Sequence, residues 1–277
     1  MLSLGIRAHD LPQTKTIEEL SETVARVGFK HIQLALSKSF PELSEPAVLS
    51  PGLGNYVKQT FAKNEINIAI LSCYCNIIHP DENQKTVLLD KFKTYIRYAS
   101  TFGSKIVATE TGCVDKRMHY TEKNYTEEAF EKVVDSVRIM TEEAEKYGII
   151  VGIEPGINHP LYDLAHTKAL IEAVDSSNLG IILDPSNLIR PTTYLEYNKI
   201  IEEAFQLFGS KIVAIHLKDF ISNEKKELTM TNIGDGEMNI EETITQIQHL
   251  KPYIYTILEG TTGNKIQAAR DKIINSY

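Results

Sequence analysis

The sequence lacks the features that mark several classes of protein. It contains no tryptophan and only three cysteines, and no apolar run approaches the roughly 18 residues that a membrane-spanning helix needs. The cysteines are odd in number and lack the spacing of a disulfide framework or a zinc knuckle, which is typical of reduced thiols in the cytosol. The first ten residues, MLSLGIRAHD, have an apolar stretch that is too short and too soon followed by charged residues to be a signal peptide. We therefore predict a cytoplasmic protein with no membrane partner.

Runs of basic residues are also absent. The chain has 29 Lys and Arg against 37 Asp and Glu, which gives a formal net charge of -8 at pH 7. A protein that binds the phosphate backbone needs a basic face. We therefore expect no nucleic-acid partner. An acidic balance also arises where carboxylates gather around a cation.

Short apolar runs alternate with longer amphipathic segments along the whole chain. The eight runs are LSLGIRA, HIQLAL, INIAILSCY, KIVATET, IIVGIEP, LGIILDP, IVAIHLKD and YTILEG. Continuous runs rich in Ile, Val and Leu are typical of parallel strands that are covered on both faces. Eight strand–helix repeats predict an α/β protein, a (β/α)8 TIM barrel that forms a single domain over residues 1–277. An open doubly wound sheet is the alternative, weakened because no GxGxxG motif follows the first run.

Charged residues close the later apolar runs. Active sites of such barrels lie at the C-terminal ends of the strands, and these runs close with Glu110, Glu154, Asp184, His216 followed by Lys218, and Glu259. Carboxylates that are packed together repel one another unless a cation neutralises them. We therefore expect one divalent metal ion at this rim. Three carboxylates and one imidazole favour Mn²⁺, with Mg²⁺, Co²⁺, Fe²⁺ and Zn²⁺ as alternatives.

Five short motifs carry a resemblance to a known family. The motifs GIEPG, ILDPSN, HLKDF, IGDGE and ILEG occur in this order. With them the chain resembles the xylose isomerase-like barrel superfamily of sugar phosphate isomerases and epimerases, which includes ketose 3-epimerases and inosose-processing enzymes. The resemblance implies that one metal ion is held by Glu154, Asp184, His216 and Glu259. It also implies that Glu154 and Glu259 are the catalytic acid and base.

The function that this resemblance implies is isomerisation or epimerisation of a sugar, sugar phosphate or related polyol ketone through an enediolate. A dehydratase of the inosose type is the alternative. An endonuclease acting on abasic sites is more remote, because that branch of the superfamily needs a histidine where this chain has Asn187. A non-catalytic sugar-binding barrel is disfavoured because all four ligands are present. The expected partner is a small-molecule carbohydrate, and homo-oligomerisation is left open.

Weaker candidates for contacting the substrate lie near the same strand ends. They are His9, His79, Glu110, Asn187 and Lys218. Each has a plainer alternative, such as a loop histidine or a helix-start carboxylate. Lys218 lies two residues after His216 and points to the same side of the strand, so it either meets a substrate oxygen or phosphate, or pairs with Asp219 or a neighbouring carboxylate. The sequence assigns no role to His159 or His166.

Overall fold

A closed barrel of eight parallel strands forms the centre of the computed structural model, which describes residues 2–223 and 227–276. The barrel strands are β1 (Ser3–Arg7), β2 (His31–Ala35), β3 (Asn67–Ser72), β4 (Ile106–Glu110), β5 (Ile150–Glu154), β6 (Leu179–Leu183), β7 (Ile212–Leu217) and β10 (Tyr255–Leu258). They follow one another around the barrel in chain order, and β1 closes the circle by pairing with β10. The predicted (β/α)8 barrel is confirmed.

Helices surround this barrel and connect its strands. In the described part of the chain they are α1 (Ile17–Arg26), α2 (Leu36–Ser39), α3 (Pro51–Ala62), α4 (Glu82–Ala99), α5 (Glu127–Tyr147), α6 (Leu164–Val174), α7 (Tyr197–Phe208), α8 (Ile240–Leu250) and α9 (Lys265–Ile274). None of these helices is long and apolar enough to cross a membrane.

Hydroxyl side chains fix the starts of several helices. The Oγ atoms of Thr16, Ser50 and Thr126 each accept the backbone N–H three residues ahead, at the first turns of α1, α3 and α5. Such caps satisfy N–H groups that have no partner within the helix. They therefore set where each helix begins and how much loop is left at the rim of the barrel.

The strands contribute to two apolar clusters. In β6, Ile181 and Leu183 belong to the large core that includes the helices, whereas Ile182 between them belongs to a smaller cluster of strand residues. This alternation follows from the period of two in a strand, in which neighbouring side chains point to opposite faces. The candidate site lies beyond these clusters, where polar side chains gather at the C-terminal ends of the strands.

A two-stranded hairpin that the sequence did not predict follows β7. Its strands are β8 (Asp219–Ser222) and β9 (Leu228–Thr231), which pair antiparallel. The buried carboxylate of Asp219 accepts four backbone N–H groups, from residues 220, 234, 236 and 238, at 2.8–3.1 Å. A Cβ atom at Gly236 would lie 2.3 Å from Asp219 Oδ1. The IGDGE motif is therefore a loop that wraps around Asp219.

Candidate metal centre

Four side chains converge at the C-terminal end of the barrel. Glu154 ends β5, Asp184 follows β6, His216 lies in β7, and Glu259 follows β10. One potential ligand atom of each residue lies within 4.8 Å of those of the other three. All four residues are buried. The structure thus brings together the whole predicted ligand set.

Two atoms of this cluster make no hydrogen bond. His216 Nδ1 lies 2.7 Å from Glu259 Oε2 and 3.3 Å from Glu154 Oε1, and Asp184 Oδ2 lies 2.8 Å from Lys218 Nζ. These distances allow hydrogen bonds, but the directions do not. A buried polar atom without a partner costs about 1–3 kcal/mol. A divalent cation would satisfy both atoms and offset the repulsion between the carboxylates, so these residues fit a divalent metal ion.

Gln33 orients the imidazole of His216. His216 Nε2 lies 2.7 Å from Oε1 of Gln33, and the amide nitrogen of Gln33 donates to Ser72 Oγ and to the Tyr74 hydroxyl. The Gln33 carbonyl oxygen can only accept, so Nε2 carries a hydrogen and Nδ1 is the nitrogen that faces the cluster. Gln33 was not predicted from the sequence. It is a polar residue inside the apolar run HIQLAL, and that position could have indicated a role at the site.

Lys218 pairs with ligand carboxylates. Its Nζ atom lies 2.8 Å from Asp184 Oδ2 and 2.7 Å from Glu259 Oε1, and it donates to Asn187 Oδ1 at 3.1 Å. Of the alternatives for Lys218, the structure shows pairing with neighbouring carboxylates. It does not show pairing with Asp219, whose carboxylate is taken up by the IGDGE loop.

Arg7 is the second cationic side chain beside the cluster, after Lys218, and it was not predicted from the sequence. Its Nη1 atom donates to Glu259 Oε1 at 2.7 Å, while Nε and Nη2 bind the two carboxylate oxygens of Asp10. Asp10 Oδ2 also accepts the N–H of Gly260, the residue after Glu259. Arg7 closes the run LSLGIRA, and its position at a strand end was the signal available in the sequence.

The pKa values of the two glutamates are shifted in opposite directions by burial and by the neighbouring charges. Burial raises the pKa of Glu154. Burial also opposes ionisation of Glu259, but His216, Lys218 and Arg7 outweigh it and lower the pKa of Glu259. Burial alone would lower the pKa of His216, yet the carboxylates of Glu154 and Glu259 raise it to about 10. A metal ion would displace that proton, because a histidine ligand must be neutral.

Two cavities meet at this rim. The larger, of about 410 Å³, is lined by Arg7, His9, Lys38, Tyr74, Glu110, Glu154 and Glu259. The smaller, of about 290 Å³, is lined by Glu110, Pro155, Gly156, Ile157, Asn158, His159, Ser186, Asn187 and Met230. Their volumes lie near the lower end of the range for small-molecule sites. Glu110 lines both cavities.

The predicted substrate contacts have different positions. His9 and Glu110 line the larger cavity, and Asn187 lines the smaller one while donating to Glu154 Oε1 at 2.7 Å. His79 lines neither cavity. Its Nδ1 atom accepts the backbone N–H of Asp81 at 3.1 Å, in the turn before α4. The structure therefore does not bring His79 to the site, and its role in substrate binding stays a prediction without support from the geometry.

The model of the xylose isomerase-like TIM barrel family matches residues 21–274. The chain belongs to this family. The resemblance that the motifs indicated is therefore confirmed. A 3-oxo-isoapionate decarboxylase from Pectobacterium atrosepticum is 36% identical over 87 residues, which are 30% of this chain and 27% of that protein. The chain thus spans about a quarter of this relative.

Several solved structures have the same fold. A 3-keto-D-glucoside 4-epimerase from E. coli has a TM-score of 0.73 at 16% identity, with 100% of this chain and 99% of that one covered. The IOLI protein with a zinc atom has a TM-score of 0.75 at 18% identity over 99% and 98%. A probable 3-DHS dehydratase from Bacillus anthracis has a TM-score of 0.76 at 17% identity over 99% of both chains. At these identities the similarity shows the fold alone.

Proposed function

We propose that this protein is a metal-dependent isomerase or epimerase of a sugar, sugar phosphate or related polyol ketone, acting through an enediolate. The observation that carries the proposal is the convergence of four buried ligand atoms within 4.8 Å of one another, with Glu154 and Glu259 also lining the larger cavity. A 3-keto-D-glucoside 4-epimerase has the same fold, which supports this class of reaction.

In this proposal, Glu154, Asp184, His216 and Glu259 hold one divalent ion. When bound, such an ion supplies Lewis-acid stabilisation of the negative charge that develops on the substrate's oxygens. The oxygen-rich ligand set favours Mn²⁺, and the zinc atom on the IOLI protein keeps Zn²⁺ as the main alternative.

The two glutamates would divide the proton transfers between them. Glu259 is held in its ionised form by Arg7 and Lys218, whose nitrogen atoms both lie 2.7 Å from Oε1, so it is suited to remove the C–H proton. Glu154 has a raised pKa, so it is suited to carry a proton. Opposed environments for paired carboxyl groups are typical of acid and base roles. If the two act on opposite faces of one carbon, the result is epimerisation.

A lyase that uses the same site is the second candidate. The observation that favours it is the identity shared with a 3-oxo-isoapionate decarboxylase, together with the fold shared with a probable 3-DHS dehydratase. Loss of carbon dioxide from a 3-keto acid, and the proton removal that precedes loss of water from a ketone, both place negative charge on the ketone oxygen, as proton removal in an isomerase does. The residues that hold the metal ion would therefore serve either reaction.

A substrate screen in D₂O tests the proposal. Metal-loaded protein is incubated with neutral ketoses and inososes, with ketose phosphates and with 3-keto sugar acids, and the products are analysed by NMR and mass spectrometry after the metal has been chelated. An isomerase or epimerase incorporates solvent deuterium at one carbon and loses no fragment. Loss of water or carbon dioxide from the substrate would instead establish the lyase. Absence of any metal-dependent reaction across the three classes would contradict both candidates.

A further inference from the structure

Glu110 and His159 face each other in the smaller cavity. His159 Nε2 lies 3.7 Å from Glu110 Oε2, which is too far for a hydrogen bond. Both residues line the cavity of about 290 Å³. Glu110 is also the register partner of Glu154 on the neighbouring strand and lines the larger cavity with it. The Glu110–His159 pair therefore lies directly beside the candidate metal centre.

The ring of His159 has a fixed orientation. Its Nδ1 atom lies 2.8 Å from the carbonyl oxygen of Gly112, which can only accept, so Nδ1 carries the hydrogen. Gly112 has φ +82°, and a Cβ atom there would lie 2.1 Å from Asn76 Oδ1. Asn76 in turn binds both the N–H and the carbonyl of Cys113. The carbonyl of Gly112 is thus held in place, and Nε2 of His159 is the nitrogen that faces Glu110.

We propose that this pair binds hydroxyl groups on the carbon chain of the substrate, beyond its ketone. The inference rests on the proposed function and narrows the substrate to a ketose with an uncharged polyol end. A carboxylate and an imidazole nitrogen 3.7 Å apart can each accept a hydrogen bond from adjacent hydroxyls, or can share one hydroxyl between them.

The charge around this cavity disfavours a phosphate at the same place. Among the residues that line it in the described part of the chain there is no lysine or arginine, whereas Glu110 contributes a carboxylate. A phosphate there would meet a like charge without a compensating cation. Met230 from β9 supplies an apolar contact that suits the C–H groups of a polyol chain.

Binding measurements on the metal-loaded protein test this subsite. The probes are D-xylulose, its 5-phosphate, and dihydroxyacetone, a ketose that lacks the distal hydroxyls. In isothermal titration calorimetry we expect D-xylulose to bind about tenfold more tightly than dihydroxyacetone, which is the effect of one or two hydrogen bonds. We expect the 5-phosphate to bind more weakly than D-xylulose.

Two variants remove the proposed contacts. His159→Asn keeps a donor for the Gly112 carbonyl but removes Nε2, and Glu110→Gln keeps the shape but removes the charge on a side chain that is 42% exposed. Both should abolish the preference for D-xylulose without changing the affinity for dihydroxyacetone. Glu110→Gln should also reduce the penalty on the phosphate ester. His119→Asn, at a histidine that is 70% exposed and paired with Asp115, is the matched control and should change nothing.

The outcomes separate this inference from the proposed function. The subsite is wrong if wild-type protein does not prefer D-xylulose, or if the preference survives in both variants. If the preference is present and is lost in the variants, but no ketose exchanges a proton with D₂O, the subsite stands and the isomerase fails. If neither D-xylulose nor dihydroxyacetone binds to the loaded protein, the subsite is overturned, and the proposed function is decided by the substrate screen in D₂O.

Discussion

Asp184 and Asp219 are both fully buried aspartates that lie just after barrel strands, yet their carboxylates have different partners. Asp219 accepts four backbone N–H groups, which satisfies both of its oxygens. Asp184 accepts one, from Ser186, through Oδ1, and its Oδ2 makes no hydrogen bond. The first arrangement is complete within the protein, whereas in the second Oδ2 lies beside two glutamates and 2.8 Å from Lys218 Nζ, a contact that makes no hydrogen bond. The difference indicates that Asp219 holds a loop and that Asp184 is suited to bind a cation.

The largest expected effect is a loss of turnover when either glutamate of the candidate metal centre is replaced. Replacing Glu154 or Glu259 by Gln keeps an oxygen ligand but removes the carboxylate that transfers a proton. We expect turnover of the substrate found in the D₂O screen to fall by about 10²-fold or more, with metal still bound. Glu237→Gln is the control, since that carboxylate binds the backbone N–H of Ser222 in the hairpin. Near wild-type turnover in both active-site variants would show that the carboxylates serve only as ligands.

The next prediction concerns the two aspartates, and it is read from the stability of the protein. Asp219→Asn places an amide N–H₂ group against backbone donors, so at least one buried N–H loses its partner. We expect the free energy of unfolding in urea to fall by about 2 kcal/mol, and we expect metal addition to raise the melting temperature as in wild type. In Asp184→Ala, which removes the ligand oxygen, we expect that rise to be lost. A metal-induced rise in Asp184→Ala, or its loss in Asp219→Asn alone, would reverse the roles given to the two aspartates.

A smaller effect concerns the pH dependence of metal affinity. The pKa of His216 is raised to about 10, so its ring is protonated at neutral pH until a metal ion displaces the proton. Affinity should therefore rise with pH, by up to about tenfold per unit below this pKa. Calorimetry at pH 7 in two buffers with different heats of ionisation should report release of about one proton per ion bound. A binding heat that is independent of the buffer would contradict this assignment.

The smallest effect concerns the residue that orients His216. Gln33→Leu removes the acceptor for Nε2–H, which lies 2.7 Å away. We expect metal affinity to fall by about tenfold, at the low end of the effect of removing a residue that supports a metal ligand. Gln33→Glu keeps an acceptor and should retain more of the affinity than Gln33→Leu. Equal affinity in the wild type and Gln33→Leu would show that the orientation of His216 does not depend on this contact.

Much of the barrel could be predicted from the sequence because its strands are continuous apolar runs and its ligands close those runs. The contacts that orient the ligands could not. Arg7 and Glu259 are 252 residues apart, and Gln33 and His216 are 183 apart, so these pairs meet only when the barrel closes. The hairpin could not be predicted from the sequence, because β9 is a four-residue strand with little buried surface and therefore has no apolar run. His79 lies outside the two cavities because its ring accepts the backbone N–H of Asp81 in the turn before α4, which its place after an apolar run did not indicate.

Elemental analysis of purified protein tests the central claim most directly. Wild type, Asp219→Asn and the double variant Asp184→Ala/His216→Ala are each dialysed against Mn²⁺ or Zn²⁺ and then against metal-free buffer. The convergence of the four ligand atoms predicts one divalent ion per chain in wild type and in Asp219→Asn, and none in the double variant. Equal metal content in wild type and the double variant would contradict the assignment of the metal centre.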